Sequence, residues 1–174
     1  RECVAEGVRR LAEGAAGTVI ARVRFIVPDW PVPPGVRALS TLKAAGGFGP
    51  EDAGNREQLL ELAGLPGPPA WLRQVHGSIV ADLDEQQSPN EFPAGTPRVA
   101  DAAVTSRPGV VCAIQTADCL PVLLAASDAS AVGAAHAGWR GLAGGVLETC
   151  VHALRARATP GIGVIAWLGP AISA

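Results

Sequence analysis

The sequence predicts an α+β protein in which mixed β-sheets form the core with helices on the outside. Three observations predict it. Short apolar or alternating runs outnumber helical patterns along the chain. Several of these runs follow one another closely enough to pair directly, with Gly- and Pro-rich breaks between them. Hydrophobic residues make up 48% of the chain and charged residues only 17%, the balance of a packed core and not of a disordered chain. A length of 174 residues suits one domain with a sizeable core, and neither an internal repeat nor a domain boundary is visible.

Element by element, residues 2–12 have helical spacing, with Val4, Val8 and Leu11 on one face. Residues 18–27 alternate as a strand that ends at Pro28-Asp29-Trp30-Pro31, and 31–35 form a Pro-rich loop. Residues 36–43 read as a strand closed by Gly46-Gly47. Asn55 opens a helix that Gly64 terminates. Residues 71–75 read as a strand delivering His76 and Gly77, with a continuation over 78–83. The polar, Pro-rich stretch 84–98 is a surface loop. Strands follow at 102–105, 110–116, 121–125 and 131–136. Residues 138–141 turn the chain, 144–157 form a helix, and 162–168 close with a strand.

Lys plus Arg total 14 and Asp plus Glu 16, for a net charge of −2. The basic residues are scattered, so no nucleic-acid partner is expected. No stretch approaches the roughly 20 apolar residues of a membrane helix, and the amphipathic N-terminus lacks the apolar segment of a signal peptide. A cytoplasmic protein is expected. In that compartment Cys3, Cys112, Cys119 and Cys150 read as buried, metal-bound or catalytic thiols before disulfides. The sequence contains no Met and stops directly after a strand-like run, which reads as a piece of a longer product, incomplete at the C-terminus.

Of three histidines, His76 and His136 fall where a strand run meets a glycine, and Cys119 falls at a break between two apolar strands. Loops at strand ends present reactive groups from a rigid scaffold. Two imidazoles and a thiolate match a catalytic zinc site with a fourth position open. The spacing is long: 42 residues separate His76 from Cys119, and 16 separate Cys119 from His136. Spacing alone therefore leaves three readings open: a zinc site, a buried thiol with two hydrogen-bonded histidines, or a Cys–His nucleophilic pair. Asp118 reads as a turn residue or as a proton carrier beside a metal-bound water. Arg140 and the Gly-rich approach to the following helix form a candidate anion clamp. His152, Cys150 and Cys112 read as ordinary helix and core residues.

Taken together, Trp71-Leu72-Arg73-Gln74-Val75-His76-Gly77, Ala100-Asp101-Ala102, Thr116-Ala117-Asp118-Cys119-Leu120-Pro121-Val122 and Ala135-His136-Ala137-Gly138-Trp139-Arg140-Gly141 resemble one family. It is the laccase-domain family of the YfiH type, known both as multicopper polyphenol oxidases and as purine nucleoside phosphorylases. The resemblance covers about residues 25–174, leaving 1–24 unassigned, and implies a single laccase-type domain whose mixed β-sheets form a sandwich-like core with flanking helices. It implies a zinc ion held by His76, Cys119 and His136. It further implies phosphorolysis of adenosine, inosine and methylthioadenosine, with phosphate as co-substrate, and deamination of adenosine. The rival implications are copper-dependent phenol oxidation and a peptidoglycan-editing role; a metal-free cysteine hydrolase built on Cys119 is a further alternative. Asp118, Arg140 and Lys43 are the candidate catalytic residues. The family carries an arginine where this chain has Lys43, a point charge in place of a fork. The stretch between Gly47 and Asn55 is shorter than in the family.

Overall fold

Residues 98–137 carry the densest strand pattern in the sequence, and they lay down the middle of the molecule. The computed structural model describes residues 2–6, 25–49, 52–85 and 97–172. In chain order the elements are β1 (Glu2–Glu6), β2 (Phe25–Ile26), β3 (Arg37–Thr41), a 3-10 turn (Lys43–Ala45), α1 (Ala53–Ala63), β4 (Pro69–Ala70), β5 (Leu72–Arg73) and β6 (Val80–Asp82). These are followed by β7 (Arg98–Val99), β8 (Ala102–Thr105), β9 (Val111–Gln115), β10 (Leu120–Ala126), β11 (Val132–Ala137), α2 (Trp139–Ala143), α3 (Val146–Arg157) and β12 (Val164–Leu168).

Two five-stranded sheets result, in the orders β2-β3-β1-β9-β4 and β12-β10-β11-β8-β6, with β5 and β7 pairing separately. Both are mixed. In the first, β1 runs parallel to β3 and β9 while β2 is antiparallel to β3. In the second, β12, β10, β11 and β8 are successively antiparallel and β6 is parallel to β8.

Alternation along the strands explains the layering. Leu123 and Ala125 of β10, Val132 and Ala134 of β11, and Ala103 of β8 join Cys112 and Ile114 of β9 in one buried cluster between the sheets. The intervening residues Val122, Leu124, Ala102, Val104 and Ala135 face the other way, against Val146, Cys150 and Leu154 of α3. Those helix residues recur every four positions and form its buried stripe. The second sheet is thus covered on both faces, which is why its strands read as near-continuous apolar runs. Leu59 of α1, with Phe48, Leu65 and Val111, covers the outer face of the first sheet. The order of layers is α1, first sheet, second sheet, α3: an α+β sandwich of mixed sheets with flanking helices.

Several boundaries differ from the sequence expectation. Residues 2–6 are a strand and not the start of a helix, because β1 fills the slot between β3 and β9; five residues are too few for spacing to outweigh ladder pairing. The rest of that expected helix lies outside the described residues, as does most of the expected strand 18–27. Trp139–Ala143 is a short helix where a turn was expected, and α3 starts at Val146, two residues late. The expected strand at 71–75 shrinks to Leu72–Arg73. Gln74 instead spends its side-chain amide on the backbone of Gln115, at 2.7 Å in both directions. Helix α1 ends at Ala63, and Gly64 adopts the left-handed conformation (φ 58°) that its lack of a Cβ permits.

Candidate metal centre

The second sheet gathers four loop or strand-end positions at one end. Strands β6, β8 and β10 all begin there and β11 ends there. The loop before β6 carries His76, Asp101 immediately precedes β8, Cys119 immediately precedes β10, and His136 is the penultimate residue of β11. Residues 17 to 60 positions apart in the chain are therefore neighbours through sheet register alone.

The ligand-capable atoms of His76, Cys119 and His136 all lie within 4.8 Å of one another. The two imidazole rings meet edge to face, with centroids 4.7 Å apart. Donors on one tetrahedral zinc sit about 3.3–3.6 Å apart at ordinary bond lengths, within the span of this group. His136 is buried, Cys119 is half-buried and His76 is exposed, so the group opens to solvent on the His76 side.

Asp101 organises this end of the sheet, and the sequence reading gave it no role. Its side chain is fully buried. Oδ1 accepts from the His76 N–H at 2.8 Å and lies within hydrogen-bond distance of His136 Nδ1, at 2.9 Å. Oδ2 accepts from the N–H groups of Gly77 at 2.8 Å and Val75 at 3.2 Å. The His136 backbone N–H also donates to the Asp101 carbonyl, at 2.7 Å. Burial alone would push the Asp101 carboxyl up, but the hydrogen bonds from His136 and the three amides outweigh it and hold the group below its ordinary value. Asp101 is therefore a carboxylate in the folded protein.

His76 has a left-handed backbone (φ 60°), a conformation that costs a residue with a Cβ about 1–3 kcal/mol at such a site. Each hydrogen bond to a charged group contributes about 1.5–3 kcal/mol. Three amides converging on one carboxylate are therefore sufficient to hold the bend. Gly138 is required for a different reason. A Cβ there would lie 2.8 Å from Cys119 Sγ and 3.2 Å from His76 Cδ2, so the glycine leaves room for the donor group itself.

The thiol of Cys119 is pushed up by burial, then by the neighbouring carboxylates of Asp118 and Asp101. A cysteine nucleophile needs the opposite environment, whereas a bound cation would supply the missing positive charge. The donor set, the carboxylate behind one histidine and the cradle at Gly138 all fit a metal ion.

The remaining candidates lie outside the donor set, Asp118 directly beside Cys119. Asp118 is exposed, and its carbonyl anchors the chain end by accepting from the Ile172 N–H at 3.1 Å. Arg140 is exposed on the short helix α2, its guanidinium 4.6 Å from the centroid of the Trp139 ring. Lys43 is exposed in the 3-10 turn after β3. That turn lies at the same end of the first sheet as the β9 exit leading to Cys119. No described contact ties Lys43 or Arg140 to the three donors. An apolar cavity of about 390 Å³ between β2, β3 and α1, walled by Trp30, Val36, Leu39 and Leu62, shares no lining residue with the donor group. Among the described residues, no helix is long and apolar enough to cross a membrane.

These features coincide with a family match. The family model described as multi-copper polyphenol oxidoreductase laccase matches residues 51–174, and the chain belongs to that family. The chain is 48% identical to a protein of Xylella fastidiosa named purine nucleoside phosphorylase, over 84% of this chain and 62% of that one. It is 41% identical to the Escherichia coli protein named purine nucleoside phosphorylase YfiH, over 86% of this chain and 64% of that one. Among solved structures, Neisseria meningitidis protein NMB0706 aligns with a TM-score of 0.69 at 37% identity, over 86% of this chain and 64% of that one. YlmD from Geobacillus stearothermophilus aligns with a TM-score of 0.55 at 30% identity, over 68% and 45%. The chain thus spans a little under two thirds of the length of the curated relatives described here.

Proposed function

We propose that this chain carries the metal centre of a zinc-dependent purine nucleoside phosphorylase, acting on adenosine, inosine and methylthioadenosine and deaminating adenosine as a second activity. The observation that carries the reading is the convergence of His76, Cys119 and His136 at one sheet end, in a chain whose relatives are named purine nucleoside phosphorylase. When bound, zinc supplies Lewis-acid chemistry and makes a water acidic enough to attack at neutral pH.

The chain's own residues supply the rest. His136, buried and braced by Asp101, is the fixed donor; His76, exposed and on a bent loop, faces the solvent side where a substrate arrives. Val75, Ile79, Trp139 and Leu142 are exposed apolar side chains on the two segments carrying these donors. They are the wall against which a purine base packs. Arg140, beside Trp139, and Lys43 are the cations for phosphate, and Asp118 is the candidate for moving a proton to or from the base. Arg140→Ala and Lys43→Ala are expected to raise KM for phosphate more than KM for nucleoside, which steady-state kinetics at varied phosphate measures.

Product analysis with adenosine tests the reading. Adenine with ribose-1-phosphate, formed only when phosphate is present, is the expected result, and inosine marks the deaminase activity. Zinc-loaded, folded protein that converts neither adenosine nor inosine overturns the nucleoside assignment. Stoichiometric copper with phenol turnover would replace it by the oxidase reading.

A further inference from the structure

We propose that Asp101 is the positioning residue of the metal centre, a single carboxylate that sets the ring tautomer of His136 and the backbone bend presenting His76. The proposal rests on the metal reading above and extends it to a residue outside the donor set. Its basis is that three partners of Asp101 are backbone amides, of Val75, His76 and Gly77, which can only donate, and the fourth is the ring Nδ1 of His136 at 2.9 Å; a carboxylate can only accept, so Nδ1 must carry the proton. A carboxylate accepts on both oxygens and satisfies all four. With Nδ1–H committed to Oδ1, the His136 nitrogen with an available lone pair is Nε2. The same Oδ1 holds the His76 amide, so the two histidines, 60 residues apart in sequence, are registered against one atom.

The isosteric change Asp101→Asn separates this role from mere packing. Asn keeps the shape but has one acceptor oxygen and one NH2 group. If the NH2 takes the Oδ1 position, it opposes the His76 amide and drives His136 to the Nε2–H tautomer, which blocks the donor nitrogen. If it takes the Oδ2 position, it opposes the amides of Val75 and Gly77 and loosens the bend at His76. Either placement weakens metal binding without opening a cavity.

The test uses Co(II) as probe, with affinity read by chelator competition and coordination by its visible absorption bands. Imidazole tautomers are read by two-bond 15N correlation in metal-free, 15N-labelled protein, with His152→Gln and His76→Gln assigning the rings. Wild type is expected to show His136 protonated at Nδ1 and bare at Nε2. Asp101→Asn is expected to lose about 10–100-fold in Co(II) affinity, with altered bands and either a changed His136 tautomer or a shifted His76 amide. Asp84→Asn, at the opposite end of the same strand pair, is expected to leave affinity and bands unchanged. A wild-type His136 protonated at Nε2 overturns the proposal, even if Asp101→Asn fails to fold. Unchanged affinity and ring shifts in a folded Asp101→Asn also overturn it. Failure of wild type to bind Co(II) refutes the metal reading instead, and the wild-type tautomer then decides separately whether Asp101 sets His136.

Discussion

The parallel pair β6–β8 is closed at each end by an aspartate, and the two ends do different things with the same device. Asp101, just before β8, gathers the loop that precedes β6. Asp84, just after β6, gathers the loop that follows β8: it accepts from the Ser106 N–H at 2.9 Å, from the Thr105 hydroxyl at 2.6 Å and from the Ser106 hydroxyl, and pairs with Arg107 at 3.5 Å. In both cases burial opposes the charge and hydrogen bonds outweigh it, so both carboxyls sit below their ordinary value. The donors make the difference. At the Asp84 end they are hydroxyls, an amide and a guanidinium 55% exposed, and beside them Arg157 ties Asp82 to Glu85. That end fastens a loop. At the Asp101 end the partners are the ring of one metal-capable residue and the backbone amides of another and its two neighbours. On the metal reading proposed above, a common fold-building carboxylate becomes part of the centre through what is attached to it.

Breaking the comparison at the donors themselves should have the largest effect. Cys119→Ser and His136→Ala are expected to lose bound zinc and to lower phosphorolysis by on the order of a hundredfold or more, exceeding the loss from outer positions. Metal content and kcat/KM measure this, with circular dichroism confirming the fold. Gly138→Ala comes next. Its methyl would enter the 2.8 Å approach to Cys119 Sγ, so metal affinity should fall while stability drops by about 1–3 kcal/mol from overpacking. Asp101→Asn follows, with the affinity loss and tautomer change given above.

The smallest effect belongs to the other end. Asp84→Asn is expected to cost about 1 kcal/mol, read by urea unfolding, with metal content unchanged. The sign of its pH dependence follows from the lowered carboxyl. An aspartate whose folded value lies below its ordinary 3.8 stabilises the fold fully above that value, and the contribution is lost as pH falls through the lower folded value. The stability gap between wild type and Asp84→Asn should therefore be constant near neutrality and narrow below about pH 4.

What was legible in the sequence follows the same division. The apolar runs of β10 and β11, the helix stopped by Gly64 and the placement of His76, Cys119 and His136 at strand ends are local patterns, and local patterns survive in one dimension. Strand β1 was not legible, because its partners β3 and β9 lie far along the chain and only their ladder fixes it. Helix α2 is five residues long and begins directly after Gly138, so its composition looked like a turn. Asp101 was legible only within Ala100-Asp101-Ala102, one of the segments that carry the family resemblance, and without a role of its own. In sequence it is one acidic residue before an apolar strand, and its partners lie 25 and 35 residues away. A carboxylate written into the start of a fully buried strand, Ala102–Thr105, was the available hint.

Metal stoichiometry tests the central claim most directly. Purified wild-type protein, stripped and titrated with zinc, is expected to bind one ion per chain, and Cys119→Ser is expected to bind none at that site. Binding of several copper ions per chain with no zinc site, or a zinc site indifferent to Cys119 and His136, would contradict the account.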